Sequence, residues 1–161
     1  MSGSYDLAQI CLNGHVINSY ARSSPGFNQK CCVKCGAATV TSCQHCKSDI
    51  RGKYNSQDAF SVIGIYHTPS FCHECGKPYP WTEMKIEAAR ELAQELEGLT
   101  PEEKEALTKS IDDIVSDSPR TALGATRFKK IMMKVGKEGV SALKNILVDI
   151  VSEAAKKTIW P

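Results

Sequence analysis

Seven of the eight cysteines and one of the four histidines fall into four short pairs: Cys11 with His15, Cys32 with Cys35, Cys43 with Cys46, and Cys72 with Cys75. A pair spaced two or three residues apart lets one tight turn aim two donor atoms at the same point. Two such turns complete a tetrahedral metal site. Four turns within 65 residues therefore predict two closed, structural zinc ions, and they constrain the chain path of this half more than any apolar pattern does. A lone CxxC would carry little weight, but three of them beside a CxxxH half-site form a specific signal.

Eight cysteines also suit a secreted disulfide framework. Against that, residues 1–10 are polar and contain no signal-like apolar stretch. No apolar run approaches the ~18 residues of a bilayer span. Paired CxxC spacing in a reducing compartment points to metal, so a cytoplasmic zinc protein is expected and membrane association is not.

Sequential pairing gives site one, within 8–42, from Cys11, His15, Cys32 and Cys35, and site two, within 43–77, from Cys43, Cys46, Cys72 and Cys75. Alternate pairing would give a cross-braced pair of sites. The seven residues between Cys35 and Cys43 suit a strand linking two turns, with Val40 and the threonines favouring extended backbone. The longer inserts read as hairpins: Val16-Ile17-Asn18-Ser19-Tyr20 before a Ser-Ser-Pro-Gly turn, and residues 50–54 with residues 61–66. That pattern favours two zinc ribbons in series over a cross-brace. Cys31 is left over beside Cys32, either as a small packed residue or as an alternative ligand. His45 and His73 lie inside CxxC turns and are expected to face solvent; His67 is expected at a hairpin end.

These motifs carry a resemblance. The CxxC…CxxCG arrangement resembles the double zinc ribbon proteins. More narrowly, Ala8-Gln9-Ile10-Cys11, Gly14-His15-Val16-Ile17-Asn18, the later cysteine pairs, Ile50-Arg51-Gly52 and Phe71-Cys72 are similar to a family of small bacterial proteins. The resemblance covers roughly the first 81 residues and implies a bacterial cytoplasmic zinc protein that positions or binds a partner, with no characterised activity. The chain departs from the general double ribbon in having His15 where a second cysteine is usual.

Beyond residue 80 there is no cysteine or histidine. A domain boundary is expected at Lys77-Pro78-Tyr79-Pro80-Trp81, dividing a ribbon domain, 1–80, from a helical domain, 81–161. Ala89, Leu92, Ala93 and Leu96 line one face of a helix over 82–99. Thr100-Pro101-Glu102-Glu103 starts a second, with Leu107, Ile111, Ile114 and Val115 facing one way. A third, from Ser118-Pro119 to Gly136, carries Phe128, Ile131, Met132 and Val135. A fourth, over 137–159, buries Val140, Leu143, Ile146, Leu147, Ile150, Val151 and Ala154. The expected fold is α+β: two small β-hairpin zinc ribbons followed by a bundle of about four helices.

Residues 1–80 carry a formal charge of +3, but seven thiolates against two dications remove three charges and bring this half near neutral. Residues 82–117 carry −7 and residues 118–161 carry +6, so acidic and basic helices are expected to attract. No phosphate loop, nucleophile elbow or HExxH occurs, and Val16 and Ile17 follow His15 where a deaminase needs Glu. No catalytic residue is assigned and no enzyme is expected. The first reading is an interaction module that binds a protein partner or itself. The alternative is nucleic-acid binding by Arg22, Lys30, Lys34, Lys47, Arg51 and Lys53 with Tyr54, Tyr66 and Phe71 as stacking residues, assisted by Arg127, Lys129, Lys130, Lys134 and Lys137 on the third helix.

Overall fold

Few large aliphatic residues lie in the cysteine-rich half, and its strands are correspondingly short. The computed structural model describes residues 3–56 and 64–161. The chain divides into two compact units, Met1–Glu83 and Met84–Pro161, and its architecture is mixed α+β.

The first unit contains β1 (Ser4–Leu7), β2 (Gln9–Cys11), β3 (Val16–Asn18), β4 (Thr39–Val40) and β5 (Arg51–Asn55). An antiparallel sheet has the order β3-β2-β4, with Ile10 opposite both Val16 and Val40. The strand between Cys35 and Cys43 is thus placed as expected, but the first hairpin is not: β3 pairs back onto β2 across the CxxxH turn, and a short helical turn at Pro25–Phe27 follows in place of a returning strand. The hairpin expected from residues 50–54 and 61–66 is not formed among the described residues either. β5 pairs antiparallel with β1, setting Tyr5 opposite Tyr54 across about fifty residues of sequence. Its expected partner, residues 61–66, lies partly outside the described residues, and Gly64, Ile65 and Tyr66 belong to no strand.

Buried polar side chains replace the missing strands as organisers of the segment that follows β3. Gln9 donates through Nε2 to the Gln29 carbonyl (2.9 Å) and to Thr39 Oγ1 (3.0 Å), and accepts from the Gln29 N–H (2.9 Å). Asn18 donates to the Ser24 carbonyl (2.9 Å) and accepts from the Tyr20 N–H (2.9 Å). The Asp6 carboxylate accepts from the backbone N–H groups of Leu7 and Arg22. Burial pushes the Asp6 carboxyl up, but hydrogen bonds from Ser23, Leu7 and Arg22 outweigh it and hold the group below its usual range. Burying such groups costs little once they are bonded, and no buried side-chain polar atom among the described residues lacks a partner.

The apolar core of this unit joins Ala8, Ile10 and Ile50 to Cys43, Cys72, Tyr79 and Trp81. Tyr79 and Trp81 stack with ring centroids 4.7 Å apart, and Trp81 Nε1 donates to the Pro69 carbonyl (2.8 Å). Both rings are buried, and Pro80 begins α1 (Pro80–Glu95).

In the second unit, α1 continues and is followed by α2 (Pro101–Val115), α3 (Thr121–Met132), α4 (Lys137–Leu147) and α5 (Glu153–Ile159). Thr100 and Glu103 form the expected reciprocal cap: Thr100 Oγ1 accepts from the Glu103 N–H (3.2 Å), and Glu103 Oε2 accepts from the Thr100 N–H (3.0 Å). The single last helix expected over 137–159 is two helices instead. A straight helix of that length would run about 35 Å, well past its neighbours. The chain breaks at residues 148–152, burying Ile150 and Val151, and Ser152 caps α5. The break resets the helical phase, so Ala155 and Ile159 are buried while Ala154, expected inside, is exposed. Phe128 meets Trp160 edge-on at 6.2 Å. The charge segregation is used in part: Arg120 pairs with Asp113 and Lys134 with Glu103, both joining basic α3 and its flanks to α2. Among the described residues no helix is long and apolar enough to cross a membrane.

Gly52 marks the tightest backbone approach in β5. A Cβ there would lie 2.3 Å from the Ser19 carbonyl oxygen and 2.8 Å from the Leu7 carbonyl carbon, both backbone atoms. Gly52→Ala is expected to destabilise the first unit by about 2–3 kcal/mol through overpacking. Urea denaturation of a Trp160→Phe background, followed by Trp81 fluorescence, measures the shift.

Candidate metal centres

The three CxxC segments fold into near-identical knuckles. In each, the first cysteine N–H donates five residues ahead: Cys32 to the Ala37 carbonyl (2.8 Å), Cys43 to Ser48 (2.8 Å) and Cys72 to Lys77 (2.9 Å). In each, the first cysteine carbonyl accepts from the residue four ahead: Gly36, Lys47 and Gly76 at 2.7, 3.0 and 2.9 Å. Isolated bridges close the knuckles at Cys31 with Ala38, Ser42 with Asp49 and Phe71 with Pro78. The fold-back requires left-handed backbone at the residue after the second cysteine: φ is +74° at Gly36, +65° at Lys47 and +71° at Gly76. Lys47 is the one described non-glycine residue with positive φ. The CxxxH turn is built differently: Gly14, at φ +91°, precedes the histidine, and the Cys11 N–H donates to the His15 carbonyl (3.0 Å).

These turns bring the donors together in sequential order. Cys11, His15, Cys32 and Cys35 form one cluster, Cys43, Cys46, Cys72 and Cys75 the other, and within each the donor atoms all lie within 4.8 Å of one another. Cys31 is exposed and belongs to neither cluster. His45 lies 3.7 Å from Glu83 and His73 lies 3.4 Å from Glu74, and neither histidine joins a donor cluster.

The spacing identifies what the clusters can hold. Sulfur at about 2.3 Å and nitrogen at about 2.05 Å from a tetrahedral ion lie about 3.8 Å apart as a sulfur pair and about 3.6 Å apart as a mixed pair. In the first cluster Cys11 and Cys35 sulfurs are 3.7 Å apart, and His15 Nδ1 lies 3.5 Å from the Cys11 sulfur and 3.6 Å from that of Cys32. In the second, Cys43 and Cys75 are 3.8 Å apart, and Cys46 and Cys72 are 3.6 Å apart. A disulfide needs about 2.05 Å, and all eight cysteines are free. Both donor sets therefore fit a tetrahedral thiophilic cation, and His15 would bind through Nδ1.

Electrostatics points the same way. Four sulfurs at contact distance cannot all ionise unaided. Burial pushes the Cys72 thiol up, but the Ser48 hydroxyl and the backbone N–H groups of Cys75 and Glu74 outweigh it and draw it down to about 5. For Cys75, the Lys77 N–H favours the thiolate, yet burial and the sulfurs of Cys46, Cys43 and Cys72 push it up to about 11. The Ser48 hydroxyl and N–H lower Cys46. In the first cluster the Ala37 N–H and the Asn13 side chain draw Cys35 down to about 6, while burial raises Cys11. A dication at the centre would let every sulfur ionise at neutral pH.

Two supporting side chains were not singled out by spacing. Ser48 Oγ lies 3.0 Å from the Cys46 sulfur and 3.3 Å from that of Cys72, bridging two donors of the second cluster. The corresponding knuckle positions are Ala37 and Lys77, so this hydroxyl is peculiar to the second site. Asn13, inside the CxxxH turn, serves Cys35. Residues 68–82 tie the two clusters into one body: Thr68 Oγ1 donates to the Gly14 carbonyl (3.0 Å), and a Cβ on Gly14 would touch the Trp81 side chain at 3.0 Å.

A family model described as "Uncharacterized protein conserved in bacteria (DUF2321)" matches residues 4–159. No curated protein and no solved structure matches the chain.

Two substitutions test the supporting roles. Lys47→Gly relieves left-handed strain and is expected to stabilise the metal-loaded protein by about 1 kcal/mol, seen as a raised urea midpoint. Ser48→Ala is expected to weaken one of two bound metal equivalents by about 10–100-fold in chelator competition, leaving the other unchanged.

Proposed function

We propose that this chain, which belongs to the bacterial family whose model spans residues 4–159, is a non-catalytic zinc-binding interaction module. Two structural zinc ions stiffen a pair of ribbons over residues 1–80, and a helical domain over 81–161 serves a protein partner or self-association. The observation that carries this reading is that the second cluster is built from four sulfurs and the first from three sulfurs and a ring nitrogen, each at tetrahedral spacing. A hydrolytic zinc keeps three protein ligands and an open position for water, whereas a fourth protein donor closes the site. Structural zinc supplies folding free energy directly, with apparent values of about 10–16 kcal/mol per ion. That exceeds what the first unit's small apolar core, with three aliphatic and two aromatic residues beside its cysteines, can contribute. Thiolate donors of this kind also favour a reducing compartment, which supports a cytoplasmic location. The family match runs through both units, which supports assigning the helical half a part in the same role.

Nucleic-acid binding by the ribbons is the second reading. It is favoured by exposed Tyr5 and Tyr54 on β1 and β5, with the Arg51 guanidinium over the Tyr5 ring.

The purified protein is expected to carry two zinc equivalents by elemental analysis. Cys35→Ser and Cys75→Ser should each remove one. Stripping both ions with a chelator should open the first unit to limited proteolysis while helical circular dichroism persists. A first unit that stays protease-resistant without metal would contradict the reading.

A further inference from the structure

The ribbon made by β1 and β5 has two unlike faces. Gly52 and Asp6 lie on the inner one, where Asp6 is 6 % exposed and Gly52 leaves no room for a Cβ. The outer face carries Tyr5 and Tyr54, directly opposite each other in register and 47 % and 50 % exposed. Their rings meet edge to face with centroids 5.1 Å apart. The Arg51 guanidinium lies 4.7 Å from the Tyr5 ring centroid. Lys53, adjacent to Tyr54 and so turned to the other side of the strand, holds its ammonium 5.8 Å from the Tyr20 ring. A cross-strand tyrosine pair contributes only about 0.2–1 kcal/mol to a ribbon, which does not account for so much ring surface left in water beside charge.

The two cations lie over tyrosine rings rather than against carboxylates. Among the described residues, neither Arg51 nor Lys53 has a carboxylate partner, whereas Arg22 nearby is paired with Asp49 at 2.6 Å. Two of the aromatic residues first considered for stacking are committed elsewhere. The Tyr66 hydroxyl donates to the Arg51 carbonyl (2.5 Å) and its ring packs against the core, while Phe71 sits in the bridge that closes a knuckle. Tyr5 and Tyr54, half exposed and set edge to face with Arg51 over the Tyr5 ring, remain on this face.

We propose that this face binds single-stranded nucleic acid, stacking bases on Tyr5 and Tyr54 while Arg51 meets a flanking phosphate. The inference rests on the zinc-held module described above, because the β1–β5 ribbon belongs to the unit the metal organises. Ring faces suit unpaired bases, which every sequence offers. A duplex keeps its bases stacked inside and presents phosphate alone. An acidic protein would satisfy the cations but has no need of the two rings, and a second copy of this chain would bring the same cations face to face.

Fluorescence anisotropy with labelled oligo(dT), oligo(U) and a duplex control, on protein shown to hold two zinc equivalents, tests this. Both single strands should bind at low salt more tightly than about 10⁻⁴ M, the weak end of non-specific binding, with the duplex weaker. The Tyr5→Ala, Tyr54→Ala double variant should lose at least about 5-fold, the low end for a single base unstacked, with its zinc content unchanged. Tyr5→Phe should retain binding, since the ring face remains. Arg51→Gln should flatten the salt dependence by about 0.7 in the log–log slope, one phosphate contact on a single strand. Fully metallated protein that binds neither strand, or that binds duplex equally well, overturns the proposal while leaving the zinc module standing. So does oligonucleotide binding that survives the tyrosine double variant while the oligomeric state changes, which would assign the face to a second copy. Protein lacking the two zinc equivalents would instead overturn the module reading.

Discussion

Sulfur atoms held 3.6–3.8 Å apart are the constraint on which the first unit depends. Such sulfurs repel once ionised and gain little as thiols, so a cluster of four is favourable only around a shared cation. Everything nearby serves that arrangement. Three knuckles fold the backbone back under each cysteine pair, and each needs one residue in left-handed conformation. The buried first cysteines of the knuckles, Cys43 and Cys72, are themselves core residues beside Ile10 and Ile50. In the proposed zinc-loaded module, metal binding and hydrophobic burial would therefore be one event.

The second unit works by the opposite means. Its core is aliphatic and aromatic, from Ala89 through Ile159, and ion pairs such as Arg120 with Asp113 lie on its surface, where each contributes little. Nothing in it depends on a cation. The two units thus have separate sources of stability within one chain, and the functional reading follows that division. The cysteine-rich unit supplies fixed turns and a two-stranded ribbon. The helical unit supplies an ordinary packed body.

The donors were legible in the primary structure because CxxC spacing is a local property: the two sulfurs of a knuckle are set by one turn, whatever the rest of the chain does. Helix starts were legible for the same reason, as at Thr100 and Glu103, where the cap is complete within four residues. Long-range matters were not. β5 had a plausible local partner in residues 61–66, yet Tyr54 pairs with Tyr5. Tyr79 and Trp81 sit among prolines that read as punctuation, and only their stacking in the core reveals their weight. The break between α4 and α5 leaves the apolar pattern almost unchanged, because Ile150 and Val151 are buried either way, and only the switch from Ala154 to Ala155 records it.

Which atoms could share an ion, how many clusters there would be and where α2 begins followed from the order of residues, since each rests on contacts a few positions apart. Packing decided the remainder. It turned the His15 ring so that Nδ1 faces the sulfurs, set the Ser48 hydroxyl between two of its neighbours' donors, and brought β1 across to β5, which placed Tyr5, Tyr54 and Arg51 on one exposed face. Those outcomes depend on the position of segments far apart in the chain, and a one-dimensional pattern contains no term for the distance between them.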